Sequence, residues 1–185
     1  MLWKIAKKTL VVMLVLITAL ITFIYWPKPN LKPFGQPKYY DKFNTQLEPT
    51  FFDYDQALKV AKDNDRLLLV NFTGHGCVSS REILYWPSFY LSSRKFIENK
   101  LVFCELYVDE KTIQLDTAEW FYTSKKTLVK SYDKKNRFIQ ESKFDTNAQP
   151  FFALIDPKSD KTIETFSYAS KNRNTFKLIK AYIVH

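Results

Sequence analysis

Apolar and polar positions along the chain fall into segments of different period, and each period predicts a different element. Residues 9–27 carry no charged side chain and are mostly apolar. As a helix, Thr9 to Trp26 would be about 27 Å long at about 1.5 Å per residue, close to the hydrocarbon thickness of a bilayer. Residues 27–50 then hold Pro27, Pro29, Pro33, Pro37 and Pro49 among aromatic residues. Proline fixes φ and removes donors, so this stretch reads as an extended tether that packs in part on the domain or on a partner. Beyond it, Asp53 is placed to cap a helix running to about Asp63, with Ala57, Val60 and Ala61 on one face. Leu67 to Phe72 is an apolar run expected of a strand buried on both faces. A turn follows at Thr73-Gly74-His75-Gly76. A helix from about Cys77 is interrupted near Pro87 and resumes from Ser92 or Ser93 to Asn99. Leu101 to Val108 is a second strand, Phe151 to Ile155 a third and Thr162 to Tyr168 a fourth. A helix from Asn174 to Ile183 closes the chain. Residues 110–147 are polar and mixed, with short helices expected at Ala118–Thr123 and Arg137–Lys143. A β-α-β start followed by a β-hairpin and a terminal helix implies an α/β sandwich.

The domain organisation expected is therefore an anchor over residues 1–26, a tether over 27–50 and one α/β domain over 51–185. The 185-residue chain, 46% apolar and 25% charged, has the profile of one folded domain rather than a disordered or fibrous chain. Lys4, Lys7 and Lys8 precede the apolar run, and Tyr25 and Trp26 end it where aromatic belts sit. No small-x-small cleavage site is present, so an uncleaved single-pass anchor is favoured over a signal peptide, with the basic end inside and the domain outside. The net charge of +9 is spread over short basic pairs and reads as a solvated surface beside the anchor. No interleaved aromatic–basic motif suggests nucleic-acid binding. Two histidines and two cysteines are too few for the usual zinc or iron–sulfur ligand sets, so no metal and no cofactor are expected.

The candidate chemistry sits at one turn. The chain has 3 glycines, and Gly74 and Gly76 flank His75 just before Cys77. The turn between a strand and a helix puts Cys77 at or near a helix N-terminus, where unpaired amides and the helix dipole favour an anion. The thiolate is the reactive form of cysteine. A buried, inert cysteine is the competing reading. Cys104, mid-strand in LVFCELYV, reads as a structural cysteine, and a Cys77–Cys104 bridge would have to join a helix start to a strand interior.

The run Val70 to Arg81 (VNFTGHGCVSSR), with Leu106 to Thr112 (LYVDEKT) and Asn147 to Phe152 (NAQPFF), resembles the thioredoxin-like superfamily. It is most similar to the C-terminal domain of bacterial thiol:disulfide interchange proteins of the DsbD type. The resemblance covers roughly residues 51–183 and includes an insertion at about 110–147. It implies a thioredoxin-like fold, with a central mixed β-sheet flanked by helices, preceded here by the single transmembrane helix. It also implies that Pro150 is a cis-proline facing Cys77, with Gln149, Phe151 and His75 beside an extended substrate segment; a trans proline opening a strand, and a His75 facing only solvent, are the alternatives. Where the family has Cys-x-x-Cys, this chain has Cys77-Val78-Ser79-Ser80, so Ser80 replaces the resolving thiol. Where such proteins commonly carry a buried carboxylate, six residues before the first cysteine, this chain has Asn71. Dithiol cycling is therefore not expected, although the Ser80 hydroxyl could donate to a Cys77 thiolate. Two readings remain. One is a monothiol protein, on the periplasmic side of a bacterial inner membrane, that forms mixed disulfides with protein thiols or disulfides. The other is a non-catalytic binding or scaffold subunit of an inner-membrane complex.

Overall fold

The structure, a computed structural model, describes residues 12–18, 38–39, 42–43, 47, 49–85 and 94–167. The chain divides into two compact units, Met1–Asn30 and Leu31–His185. In the first, residues 12–18 are helical with exposed side chains from Val12 to Ile17. The Thr18 hydroxyl donates back to the carbonyls of Leu14 and Val15. Among the described residues no helix is long and apolar enough to cross a membrane. Residues 1–11 and 19–26 of the expected anchor, most of the tether and the expected closing helix Asn174–Ile183 lie outside the described residues.

The second unit is built on a five-stranded mixed sheet. Its strands are β1 (Thr50–Phe51), β2 (Leu67–Thr73), β3 (Leu101–Tyr107), β6 (Phe151–Asp156) and β7 (Lys161–Ser167), in the order β1-β3-β2-β6-β7. β2 and β3 pair in parallel, from Leu67 opposite Leu101 to Thr73 opposite Tyr107. β6 runs antiparallel to β2 and forms a hairpin with β7. The expected β-α-β start and the hairpin are both present. β1 pairs in parallel with β3 at the edge; two residues following Pro49 carry no period that could announce a strand.

Side chains alternate across this sheet and divide the core in two. Leu68, Val70 and Phe72 of β2, Val102, Cys104 and Leu106 of β3, and Phe151, Ala153 and Ile155 of β6 pack with Ala57 and Ala61 of helix α1 (Tyr54–Asp63). Leu69, Phe103, Phe152 and Leu154 face the other way, with Ile83 of α2 (Val78–Tyr85) and Ile97 of α3 (Arg94–Lys100). Burial on both faces is why β2 and β3 read as unbroken apolar runs. Asp53 caps α1 as expected, its carboxylate accepting from the Gln56 amide at 3.0 Å.

The segment 110–147 differs most from expectation. Ala118–Thr123 is not a helix: a 3-10 turn at Thr117–Glu119 leads into β4 (Phe121–Tyr122), which pairs antiparallel with β5 (Leu128–Val129). The helix expected at Arg137–Lys143 is the second half of α4 (Tyr132–Phe144). Its first half was not legible because the residues it buries there are mostly polar. Tyr132, Asp133, Lys135 and Asn136 are all buried; Ser131 donates to Asp133 at 2.7 Å, and the others are held by distant partners that no periodicity reveals. The Tyr132 hydroxyl donates to the Phe52 carbonyl, Asn136 to the Tyr107 carbonyl at 2.9 Å, and Arg137 to the Val108 carbonyl at 2.6 Å. α4 ends at Asp145 in the left-handed conformation, φ 50°.

Part of the tether packs on this unit. Phe43 and Leu47 are buried, and the Phe43 ring stacks on Tyr107 at 4.5 Å between centroids. The Lys38 amide donates to Gln56 Oε1 at 2.7 Å, and its ammonium pairs with Glu119 at 2.6 Å.

Candidate functional site

Three loops meet at one end of the sheet because of strand direction. β2 and β3 are parallel, so Gly74–Cys77 and Val108–Glu110 leave the sheet at the same end. β6 is antiparallel to β2, with Phe151 opposite Phe72, so Gln149-Pro150 enters the sheet at that end too. All three are the segments that carried the sequence motifs.

The first loop is a turn closed by the Cys77 amide donating to the Gly74 carbonyl at 2.9 Å. The Cys77 carbonyl then accepts from the Arg81 amide at 3.4 Å, the first bond of α2. Cys77 thus stands at the entry to α2, half-buried, with the exposed Val78 beside it. Asp109 holds the turn from below. Its carboxylate accepts from the His75 amide at 2.9 Å and lies 3.4 Å from the Gly76 amide. This explains Gly74, where a Cβ would come within 2.8 Å of Asp109 Oδ2. The glycine is required by close approach of a carboxylate rather than by a left-handed backbone. At Gly76 a Cβ would meet nothing within 4 Å, and the structure gives no reason for glycine there.

Asp109→Ala removes the acceptor for these amides. It is expected to destabilise the domain by about 1–3 kcal/mol and to speed amide exchange at His75, with both read by denaturant titration and hydrogen exchange. Unchanged exchange at His75 would contradict the bracing role.

His75 is half-exposed but held on three sides. Its ring lies 4.6 Å from that of Tyr107 and 6.0 Å from that of Phe43, which itself stacks on Tyr107, so the three rings form one cluster. His75 Nε2 is 2.7 Å from Glu110 Oε2, and the His75 carbonyl accepts from Arg81 at 2.5 Å. Burial alone would raise the Glu110 carboxyl. The Thr112 hydroxyl and amide, and then His75, outweigh it and hold Glu110 below the usual carboxylate range. Glu110, Tyr107 and Phe43 were not among the candidates read from the sequence. Phe43 lies 32 residues before His75, and no local pattern joins them.

Ser80 is only 2% exposed. Its hydroxyl is 2.7 Å from that of Thr73, one turn of structure away from Cys77. The Thr73 hydroxyl, on the last residue of β2, donates to Ser80, and among the described residues the Ser80–Cys77 hydrogen bond that the sequence left open is not formed. Cys104 is fully buried, and Cys77 and Cys104 are both free thiols. Desolvation first, and then the Asp53 and Glu105 carboxylates, push the Cys104 thiol well up, which keeps it in the unreactive form.

On the third loop the Gln149–Pro150 peptide is cis. Gln149 is exposed and Pro150 buried. The Ala148 carbonyl accepts from Gln140 of α4 at 2.7 Å, which ties the loop to the helix. Phe151 is 7% exposed and packs against Phe72 and Phe144. Its side chain therefore lines the core rather than the surface of the site.

A mixed sheet of order β1-β3-β2-β6-β7, a cysteine at the helix entry after β2 and a cis-proline before β6 complete one pattern. The domain has a thioredoxin-like fold. The chain matches no protein-family model and no curated protein. Among solved structures it is similar to a DsbH oxidoreductase, at 16% identity and a TM-score of 0.49, over 77% of this chain and 86% of that one. It is also similar to a thioredoxin from Thermus thermophilus, at 16% identity and 0.47, over 76% and 88% of the two chains. A poplar thioredoxin h matches at 15% and 0.46, over 71% and 89%. The thioredoxin-like assignment of this domain stands on its own sheet order and loops.

Proposed function

We propose that this chain is a thiol–disulfide exchange protein that works through Cys77 alone, carried on an N-terminal membrane anchor at the periplasmic face of a bacterial inner membrane. The observation that carries the reading is the placement of Cys77: accessible, at the entry to α2, on a turn braced by Asp109, with an exposed Gln149 on the neighbouring loop. The Cys77 thiolate attacks a partner disulfide. One sulfur–sulfur bond forms between Cys77 and a partner sulfur, the partner's own bond breaks, and the second partner sulfur leaves as a thiolate that takes up a proton. Release needs a thiol from outside, because Ser80 has no sulfur and Cys104 is buried. The apolar run at residues 9–27 and the basic residues before it support the anchor and its orientation.

A second reading, a binding module of an inner-membrane complex, is favoured by one feature. Ser80 is spent on Thr73 inside the domain, an arrangement that stabilises α2 without serving Cys77.

One experiment separates the two. A membrane-impermeant maleimide, applied to cells with a permeabilised outer membrane, is expected to label Cys77 on the folded full chain. Labelling only after lysis would overturn the periplasmic placement. No labelling of the folded chain under either condition would overturn the thiol chemistry and leave the binding module.

A further inference from the structure

Asn71 and Glu105 face each other across the parallel pair β2–β3. Both are buried, and Asn71 Nδ2 donates to Glu105 Oε1 at 3.2 Å. The other half of the amide is the anomaly: Asn71 Oδ1 is a buried acceptor with no partner among the described residues. Buried polar atoms without partners are rare and costly. An ionised carboxylate can only accept, so it cannot satisfy Oδ1; a carboxylic acid carries an O–H that can.

We propose that Glu105 is a neutral carboxylic acid joined to Asn71 by two hydrogen bonds, amide to acid and acid to amide, and that this unit is a pH-sensitive element in the sheet. The proposal does not depend on what Cys77 does. Among the described residues Glu105 has no counter-cation. Its environment pushes the carboxyl up to about 7, through desolvation, which the Asn71 hydrogen bond only partly offsets. Its neighbours on the same face are Leu69, Thr73, Phe103, Tyr107 and Phe152. The charged or titratable side chains described on the elements that cover this face are Cys77 and Arg81 at the start of α2, and Lys95, Glu98 and Lys100 on α3. None is hydrogen-bonded to Glu105. Cys104, on the opposite face of β3, is buried as a neutral thiol and brings no positive charge. Thr73 lies on the same face of β2 as Asn71, and its contact with Ser80 puts α2 over that face. Ionisation of Glu105 therefore adds a buried negative charge to the wall on which the Cys77 helix rests.

The unfolded chain releases this proton near the ordinary value of 4.5, whereas the folded chain holds it to about 7. Between the two, folding takes up one proton. The contribution to stability is complete below 4.5 and lost as pH rises through about 7. For the full chain in detergent solution, the unfolding equilibrium constant is expected to rise up to about tenfold per pH unit inside this window. Glu105→Gln keeps both hydrogen bonds without a titrating proton, so this slope is expected to vanish. The same slope in wild type and variant would overturn the proposal. Carbon-13 labelling of glutamate carboxyls in the wild type gives an answer even if the variant fails to fold. One resonance titrating near pH 7 supports the assignment, and all of them titrating in the ordinary range overturns it.

Discussion

Cys77→Ser is expected to abolish every mixed disulfide that the chain forms, while Cys104→Ser leaves the yield unchanged. The two thiols differ in everything that governs exchange. Cys77 is partly exposed, at the first residue before a helix. Cys104 is fully buried in β3, and its thiol is pushed up by burial. Exchange requires a thiolate and an open approach to the sulfur. The full chain, mixed with a peptide disulfide, should form one adduct at Cys77, detected by mass. The adduct should persist until an external thiol is added, because no second thiol can reach it. Adduct formation by Cys77→Ser, or release without added thiol, would refute the single-cysteine mechanism. Installing a resolving thiol at Ser80 is a sharper version of the same test. Ser80→Cys is expected to shorten the life of the adduct by internal release, and it also loses the hydroxyl contact with Thr73.

Lys135→Met is expected to destabilise the domain by about 3–5 kcal/mol, because it leaves a buried carboxylate unpaired. The Lys135 ammonium lies 2.9 Å from both Asp53 and Asp55 and 3.7 Å from Glu119. Burial would lower the lysine. Asp53, first by its charge and then by its hydrogen bond, and after it Asp55 outweigh that and hold the ammonium above the ordinary lysine range. Asp55 is exposed and can be solvated, so the damage falls on Asp53, which is buried and also caps α1. For a domain of this size the loss corresponds to a fall in Tm of roughly 10 °C. Asp53→Asn keeps a good capping side chain and removes the charge. Combined with Lys135→Met, it is expected to recover most of the loss. Additive losses in the double variant, measured by thermal and urea unfolding of the full chain, would show that the ion pair is not what Lys135 contributes.

These two sites mark how far the sequence could be read. Asp53 was legible as a cap because capping is decided within four residues. Its pairing with Lys135, 82 positions later, was not. α4 was read as half its length for the same reason: Lys135 and Asn136 look like solvent-facing residues until their partners at the start of α1 and on β3 are in place. At the site, Cys77, Ser80, His75 and Pro150 were all visible as motif positions. What was not visible is that Ser80 turns to Thr73, that Phe151 points into the core, and that Asp109 and Glu110 from the loop after β3 hold the turn. Phe43 was read as part of a tether that packs in part on the domain or on a partner; that it stacks on Tyr107 beside His75 was not visible.

By itself the sequence determined what local chemistry can decide: buried strands from unbroken apolar runs, a helix start from Asp53, a strand-to-helix turn before Cys77 and the absence of a second thiol at position 80. The tertiary structure alone decided which side chains share a face, and with it every long-range partnership. The physical reason is that burial of a polar group is tolerated only where a partner satisfies it. For Glu105 that partner is Asn71, 34 residues earlier in the chain. Only the parallel register of β2 on β3 brings this amide and this carboxyl, far apart in the chain, together in a place that water does not reach.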